Sequence, residues 1–163
     1  MPTLEPLHPD HADAVLAFEL ANRAWFARTV PDRGDAYFAE FPARHAALLA
    51  EQAAGVCRFH LVLDADGTLV GRLNLLDLVD GSAELGYRIA ESAAGRGIAT
   101  AAVGLARRLA AHDYGLHSLT AATTLDNPAS QAVLTRNGFT ATGECLLDDR
   151  PGLRYHRSLA GGD

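Results

Sequence analysis

Two hydrophobic periods divide this chain of 163 residues. Residues 3–7 form a short extended segment. From Pro9 and Asp10 onward, Ala14, Val15, Phe18, Leu20 and Ala21 recur at helical spacing, which predicts a helix running to about Ala27. Pro31-Asp32-Arg33-Gly34 has loop composition. An Ala-rich second helix is expected over about 35–54, with a break near Pro42, because proline removes a helical donor. The period then shortens. Residues 57–63 (CRFHLVL) read as a strand, Asp66-Gly67 as a hairpin turn, 68–76 as a second strand and 83–89 (AELGYRI) as a third. A Gly-containing turn over 93–100 leads into a helix whose apolar stripe is Val103, Leu105, Ala106, Leu109 and Ala110, ended by Gly115. A strand over 119–124, a helix from Asn127-Pro128 to Asn137-Gly138, and strands over 139–147 and 153–159 complete the pattern.

The order is strand, two helices, three strands, helix, strand, helix, two strands. It predicts an α/β (α+β) fold in one domain over 1–163, with helices covering a central sheet. The net charge of −6 and a pI of about 5.6 argue against a phosphate-backbone binder, so no nucleic acid is expected. No stretch approaches ~20 apolar residues, and the N-terminus carries acid and proline where a signal peptide carries base; no membrane span is expected. Two distant cysteines, Cys57 and Cys145, suit a reduced, cytoplasmic protein. The seven scattered His show no ligand spacing with Cys, and no metal is expected.

Two segments carry the candidate chemistry. In 83–100, a strand enters a turn containing Gly95-Arg96-Gly97, and a helix begins at once with Ile98, Ala99 and Thr100. The first N–H groups of such a helix lack internal partners and carry partial positive charge, so the turn suits a pyrophosphate. The same glycines also serve a merely tight strand-to-helix connection. A P-loop fits poorly because it needs Lys, and a dinucleotide fingerprint fits poorly with Thr100 at its sixth position. In 119–143, a strand ends at Asp126-Asn127, a short helix carries Ser130, and Asn137-Gly138-Phe139 closes it. Asn127 and Pro128 also read as an ordinary helix start.

Taken together, these segments resemble the GNAT superfamily of acyl-CoA-dependent N-acetyltransferases over nearly the whole chain. Gly97-Ile98-Ala99 matches the end of the family's pyrophosphate turn, and Asn127, Ser130, Gly138 and Phe139 match its downstream block. Ala83-Glu84-Leu85-Gly86-Tyr87 is similar to the RimJ/RimL type, which acetylates N-termini of ribosomal proteins. The resemblance implies a central mixed, mostly antiparallel sheet flanked by helices. It implies acetyl-CoA at Ile89, Gly95, Arg96, Gly97, Ile98, Ala99, Thr100, Asn127 and Ser130, with the Ile89 backbone on the pantetheine arm where two strands splay. Two departures stand out: Ala94 replaces the Gln/Arg of the turn, and Leu134 replaces the Tyr that serves many members as general acid. Ser130 is the substitute that the RimJ/RimL resemblance suggests, and Tyr87, Tyr114 and Tyr155 stay open.

The reaction implied is attack of a neutral amine on an acetyl thioester. Glu84 is the candidate base, with a solvated residue or a salt-bridge partner of Arg72 or Arg88 as its structural reading. A backbone N–H near Ile89 or Ala90 is the candidate oxyanion donor. For the acceptor, Glu19, Asn22 and Arg23 stand at helical i, i+3, i+4 spacing, with Trp25 and Phe26 beside them. The alternative there is a surface Glu19–Arg23 pair beside core aromatics. The expected acceptor is a primary amine, either a protein N-terminus or a small molecule such as an antibiotic, amino acid or polyamine. A non-catalytic acyl-CoA-binding domain and a nucleotide-binding domain are the rival readings. The C-terminal edge strand offers a surface for a homodimer.

Overall fold

A computed structural model describes residues 1–159; 160–163, the end of the expected single domain, lie outside the described residues. The chain runs through β1 (Thr3–Pro6), α1 (Ala12–Ala21), α2 (Arg23–Phe26), α3 (Asp35–Ala39), α4 (Phe41–Ala53), β2 (Arg58–Leu63), β3 (Leu69–Val79), β4 (Ser82–Ile89), α5 (Ile98–His112), β5 (Ser118–Thr124), α6 (Pro128–Arg136), β6 (Thr140–Leu147) and β7 (Arg150–Ser158). The expected mixed α/β architecture is found: a seven-stranded sheet in the order β1-β2-β3-β4-β5-β7-β6. Every pairing is antiparallel except β4 with β5.

The sheet is buried on both faces at its centre, which explains the near-continuous apolar runs of β2 and β3. Val62, Leu73, Leu75, Ala83 and Leu85 pack on one face with Val103 and Ala106 of α5 and Leu134 of α6. Phe59 and Leu61 pack on the other face with Val15, Tyr37 and Phe41 of the first helices. A third, smaller cluster of Phe18, Phe26 and Ala90 joins the helical entry to the end of β4.

The first expected helix is not continuous. Asn22 leaves helical geometry at φ −107°, ψ 9°. Its Nδ2 donates to the Phe18 carbonyl and its Oδ1 accepts from the Glu91 N–H, bonds that compete with the helical ladder. The second expected helix is split at Glu40, and Pro42 stands in the first turn of α4, where a missing N–H costs nothing.

The parallel pairing decides where a ligand can enter. β4 and β5 are registered only at Ser82↔Ser118, Ala83↔Leu119 and Glu84↔Thr120. Beyond Glu84, β4 stays on β3 as far as Ile89 while β5 follows β7 as far as Thr124. The two strands therefore diverge, and their facing backbone edges open into a cleft.

Candidate active site

The cleft has a volume of about 920 Å³, within the range of small-molecule and cofactor sites. One wall is β4 from Leu85 to Ile89 and the opposite wall is Ala121 to Thr124 of β5. Hydrogen bonding in β4 alternates in parity. Ala90 N–H donates to Val70 O at 2.8 Å, and Arg88 pairs with Arg72 in the same register. Backbone groups of Leu85, Tyr87 and Ile89 accordingly point away from β3, toward the opening. Of the two candidate oxyanion donors, Ala90 is thus already used, and Ile89 N–H faces the cleft. The Ile89 carbonyl accepts the Trp25 indole N–H at 3.0 Å, which fastens α2 to the end of β4.

The glycine turn forms one end of the cleft. Gly95 and Gly97 both have φ of 74°, a left-handed conformation that favours glycine. Gly97 is the N-cap of α5 and supplies no side chain to its free N–H groups. A Cβ built on Gly95 or Gly97 would meet nothing within 4 Å, so the turn is bare on the open side. Gly95, Gly97, Ile98, Ala99 and Thr100 all line the cleft. An uncapped helix start of this kind fits a pyrophosphate without needing the Gln/Arg side chain that Ala94 lacks. The Arg96 side chain is not in the lining; its Nη1 reaches back to the Ser92 carbonyl at 3.4 Å.

The second segment converges on the same space. Asn127 Oδ1 accepts from the Ser130 N–H at 3.2 Å and caps α6, and both residues line the cleft. The Ser130 hydroxyl lies 3.0 Å from that of Tyr87 on the facing strand. Burial pushes the Tyr87 phenol up from its usual range, against the opposing hydrogen bond from Ser130. Asn137 Nδ2 donates to the Thr100 carbonyl at 3.2 Å, which ties the end of α6 to the first turn of α5.

Glu84 is exposed and lies outside the lining, at the last paired position before the strands diverge. Strand parity puts it with Arg88 on the face opposite Tyr87 and Ile89. Nor does it pair with Arg72 or Arg88, because both guanidiniums go to Glu19: Arg72 Nη1 at 2.7 Å and Arg88 Nη1 at 3.0 Å. Glu19 is 1% exposed, so the surface Glu19–Arg23 pair is corrected. Arg23 instead joins Asp32 and Asp35, both at 2.8 Å. That contact raises Arg23 and lowers Asp32 to about 2 through the hydrogen bond they share. Asn22 serves the helix end. Of the expected acceptor residues, Phe26 does line the cleft, together with Trp25, Arg88, Asp126, Asp148 and Arg150. The last four are unannounced by local pattern. A parity count along 84–89 separates Arg88 from Tyr87, but Glu19 as its partner is 69 residues away.

The acetyltransferase (GNAT) domain family matches residues 3–140. The chain belongs to the GNAT family. RimJ from Mycobacterium smegmatis, solved with a coenzyme A disulfide, is similar at 27% identity and a TM-score of 0.86, over 96% of this chain and 81% of that one. Ribosomal-protein-S5-alanine acetyltransferase from Vibrio fischeri shares the fold at 19% identity and a TM-score of 0.89, over 98% and 93%. Spermidine N-acetyltransferase from Vibrio cholerae, solved with CoA and spermine, does so at 18% identity and a TM-score of 0.80, over 98% and 96%. No curated protein matches in sequence. As a GNAT enzyme the protein is an acetyl-CoA-dependent acetyltransferase, and the glycine turn, the uncapped α5 and the diverging strands are a fitting receptacle for that coenzyme. Among the described residues no helix is long and apolar enough to cross a membrane.

Proposed function

We propose that the protein transfers acetyl from acetyl-CoA directly to a primary amine within a ternary complex. The observation that carries this reading is the opening between β4 and β5, with an uncapped helix N-terminus at one end and the α1–α2 wall at the other. The names of its relatives point the same way, because they describe acetylation of a ribosomal protein and of spermidine.

When bound, acetyl-CoA supplies the activated thioester. The free N–H groups at Gly97–Thr100 hold phosphate oxygens, and Asn127 shapes the opposite rim. Ile89 N–H would donate to the thioester oxygen as it gains charge. The Ser130 hydroxyl would give its proton to the departing sulfur, and Tyr87, 3.0 Å away, would pass its own to Ser130. Burial keeps Tyr87 protonated beyond its ordinary range, so it remains a donor at neutral pH. Glu84 stands outside the lining, so the amine, entering as the free base, would shed a proton from its acylated nitrogen to water in the open cleft, and that water would return a proton to Tyr87. Alignment of the two substrates in one cleft supplies much of the remaining rate.

The test is calorimetric binding of acetyl-CoA, with ATP and NAD as controls, followed by turnover on a panel of amines. Binding of acetyl-CoA alone, and release of free thiol only with an amine, are expected. Failure to bind acetyl-CoA would overturn the reading. Ser130→Ala is expected to keep coenzyme binding and lose about 100-fold in kcat; full turnover in that variant would remove the serine from the proton path. Glu84→Gln is expected to keep its turnover.

A further inference from the structure

The wall of the cleft nearest the first helices carries more positive charge than its own partners neutralise. Arg72 and Arg88 share a single carboxylate, Glu19. The exposures of the three side chains are 5%, 20% and 1%, so little water screens the excess. Among the described residues the one hydrogen-bonded atom of the Arg88 guanidinium is Nη1. The group lies over the Phe26 ring at 4.5 Å, and both side chains border the cleft. Arg33 adds a further like charge, and burial followed by Arg33 pulls Arg88 below the usual guanidinium range. The lining as a whole bears Arg28, Arg88, Arg136 and Arg150 against Asp126 and Asp148, on a chain whose net charge is −6.

A buried excess cation is costly until an anion meets it, and a guanidinium meets a carboxylate best, through paired N–H donors. We infer that Arg88 binds a carboxylate of the acceptor, which makes the acceptor an amine that carries a carboxylate a short distance from its nitrogen. This inference rests on the acetyltransferase reading above. Arg88 faces the α1–α2 side of β4, whereas Tyr87 and Ile89 face the coenzyme side. A molecule held by its carboxylate at Arg88 therefore extends its amine past the strand into the opening. A polyamine would bring further positive charge to this wall and is disfavoured. The same chemistry is offered by a free amino acid and by an acidic side chain near a peptide N-terminus.

The experiment measures kcat/KM with acetyl-CoA saturating. One arm compares free L-alanine, L-asparagine and L-glutamine with their α-amides. The other compares peptide amides whose second residue is aspartate with those bearing asparagine; spermidine is the cationic control. The carboxylate form is expected to exceed its amide by about 30-fold or more in at least one arm, and that arm identifies the source. In Arg88→Gln the ratio is expected to fall to about one; Arg88→Lys, which keeps charge without the fork, is expected to fall between. Melting curves and acetyl-CoA calorimetry on each variant show that fold and coenzyme site persist. Equal use of acid and amide, a preference for spermidine, a preference unchanged in Arg88→Gln, or no carboxylate-bearing amine accepted by a coenzyme-binding enzyme would each overturn the inference. Loss of coenzyme binding in the wild type would instead overturn the reading beneath it.

Discussion

The two faces of β4 build their halves of the site by different means. On the α5–α6 side, Ile89, Gly95, Gly97 and the first turn of α5 present backbone N–H groups to the cleft, and the residues are close in sequence. On the α1–α4 side, Glu19, Arg72 and Arg88 act through charged side chains drawn from three distant elements. The backbone half is organised by local conformation, so it depends on glycines and on an empty cap. The side-chain half exists only when the helices have docked, and each of its charges relies on the others. Damage to the first should therefore show as lost coenzyme affinity, and loss of the carboxylate that the second shares, Glu19, as lost stability.

The largest effect belongs to the charged half. Glu19→Ala leaves Arg72 and Arg88 facing each other in a buried site without a counter-charge. A loss of about 3–5 kcal/mol is expected on breaking such a cluster, read from urea unfolding. A loss below about 1 kcal/mol, the range of a surface pair, would show that water reaches these groups. The converse prediction concerns the backbone half. Gly97→Trp adds left-handed strain and fills the open side of the turn. Acetyl-CoA binding should weaken by about 100-fold or more, because the indole would occupy the open side of the turn and about 3 kcal/mol of steric overlap would have to be relieved to admit the pyrophosphate. Unaltered binding in that variant would move the coenzyme away from α5.

A smaller effect tests the strand between the two halves. A Cβ on Gly71 would lie 2.8 Å from the Arg88 carbonyl and 2.6 Å from Ile89 Cδ1. The carbonyl is backbone and can yield only if β4 shifts. Gly71→Ala should cost about 1–3 kcal/mol and impair both coenzyme binding and acceptor use, because it displaces Arg88 and Ile89 together. An effect on only one of them would mean that the two faces of β4 move independently.

This contrast also explains what was legible in the sequence. The strand meander, the glycine turn and the capped α6 announced themselves through local signals: Asp-Gly at 66–67, Gly-Arg-Gly at 95–97 and Asn-Pro at 127–128. The cleft-facing role of Gly97 and Asn127 followed from those signals and the family resemblance. The Glu19 cluster had no such signal. Its i, i+4 neighbour Arg23 offered a plausible surface pair, and only the packed fold shows that Arg23 turns to Asp32 and Asp35 while Glu19 turns inward. Asn22 misled for a similar reason, because its partner Glu91 N–H lies 69 residues away. Ser130 was legible, but its contact with Tyr87 spans 43 residues and depends on how far β4 and α6 lie apart.

Acid separates the two faces most gently. His60 lies on the coenzyme face of β2, where Nδ1 is 3.2 Å from the Leu73 carbonyl and Nε2 is 2.6 Å from the Tyr114 hydroxyl. A carbonyl only accepts, so Nδ1 carries a proton, and in the neutral ring that burial favours Nε2 accepts from Tyr114. Burial, reinforced by the Arg58 charge, lowers its pKa below the ordinary 6.5. Between that lowered value and 6.5 the unfolded chain binds the extra proton, so stability falls as pH drops through this window. Asp32, on the α1–α4 side, is held at about 2 against 3.8, chiefly by Arg23. Its contribution is complete above pH 4 and fades between there and pH 2. Melting temperature should thus drop modestly from pH 7.5 to 5.5, and His60→Gln should flatten that step while leaving the one below pH 4 intact. Asp32→Asn should do the reverse, with the smaller change because its pair is exposed. A pH 7.5-to-5.5 step that survives in His60→Gln would assign the acid sensitivity to another group and remove His60 as the feature that sets the coenzyme face apart.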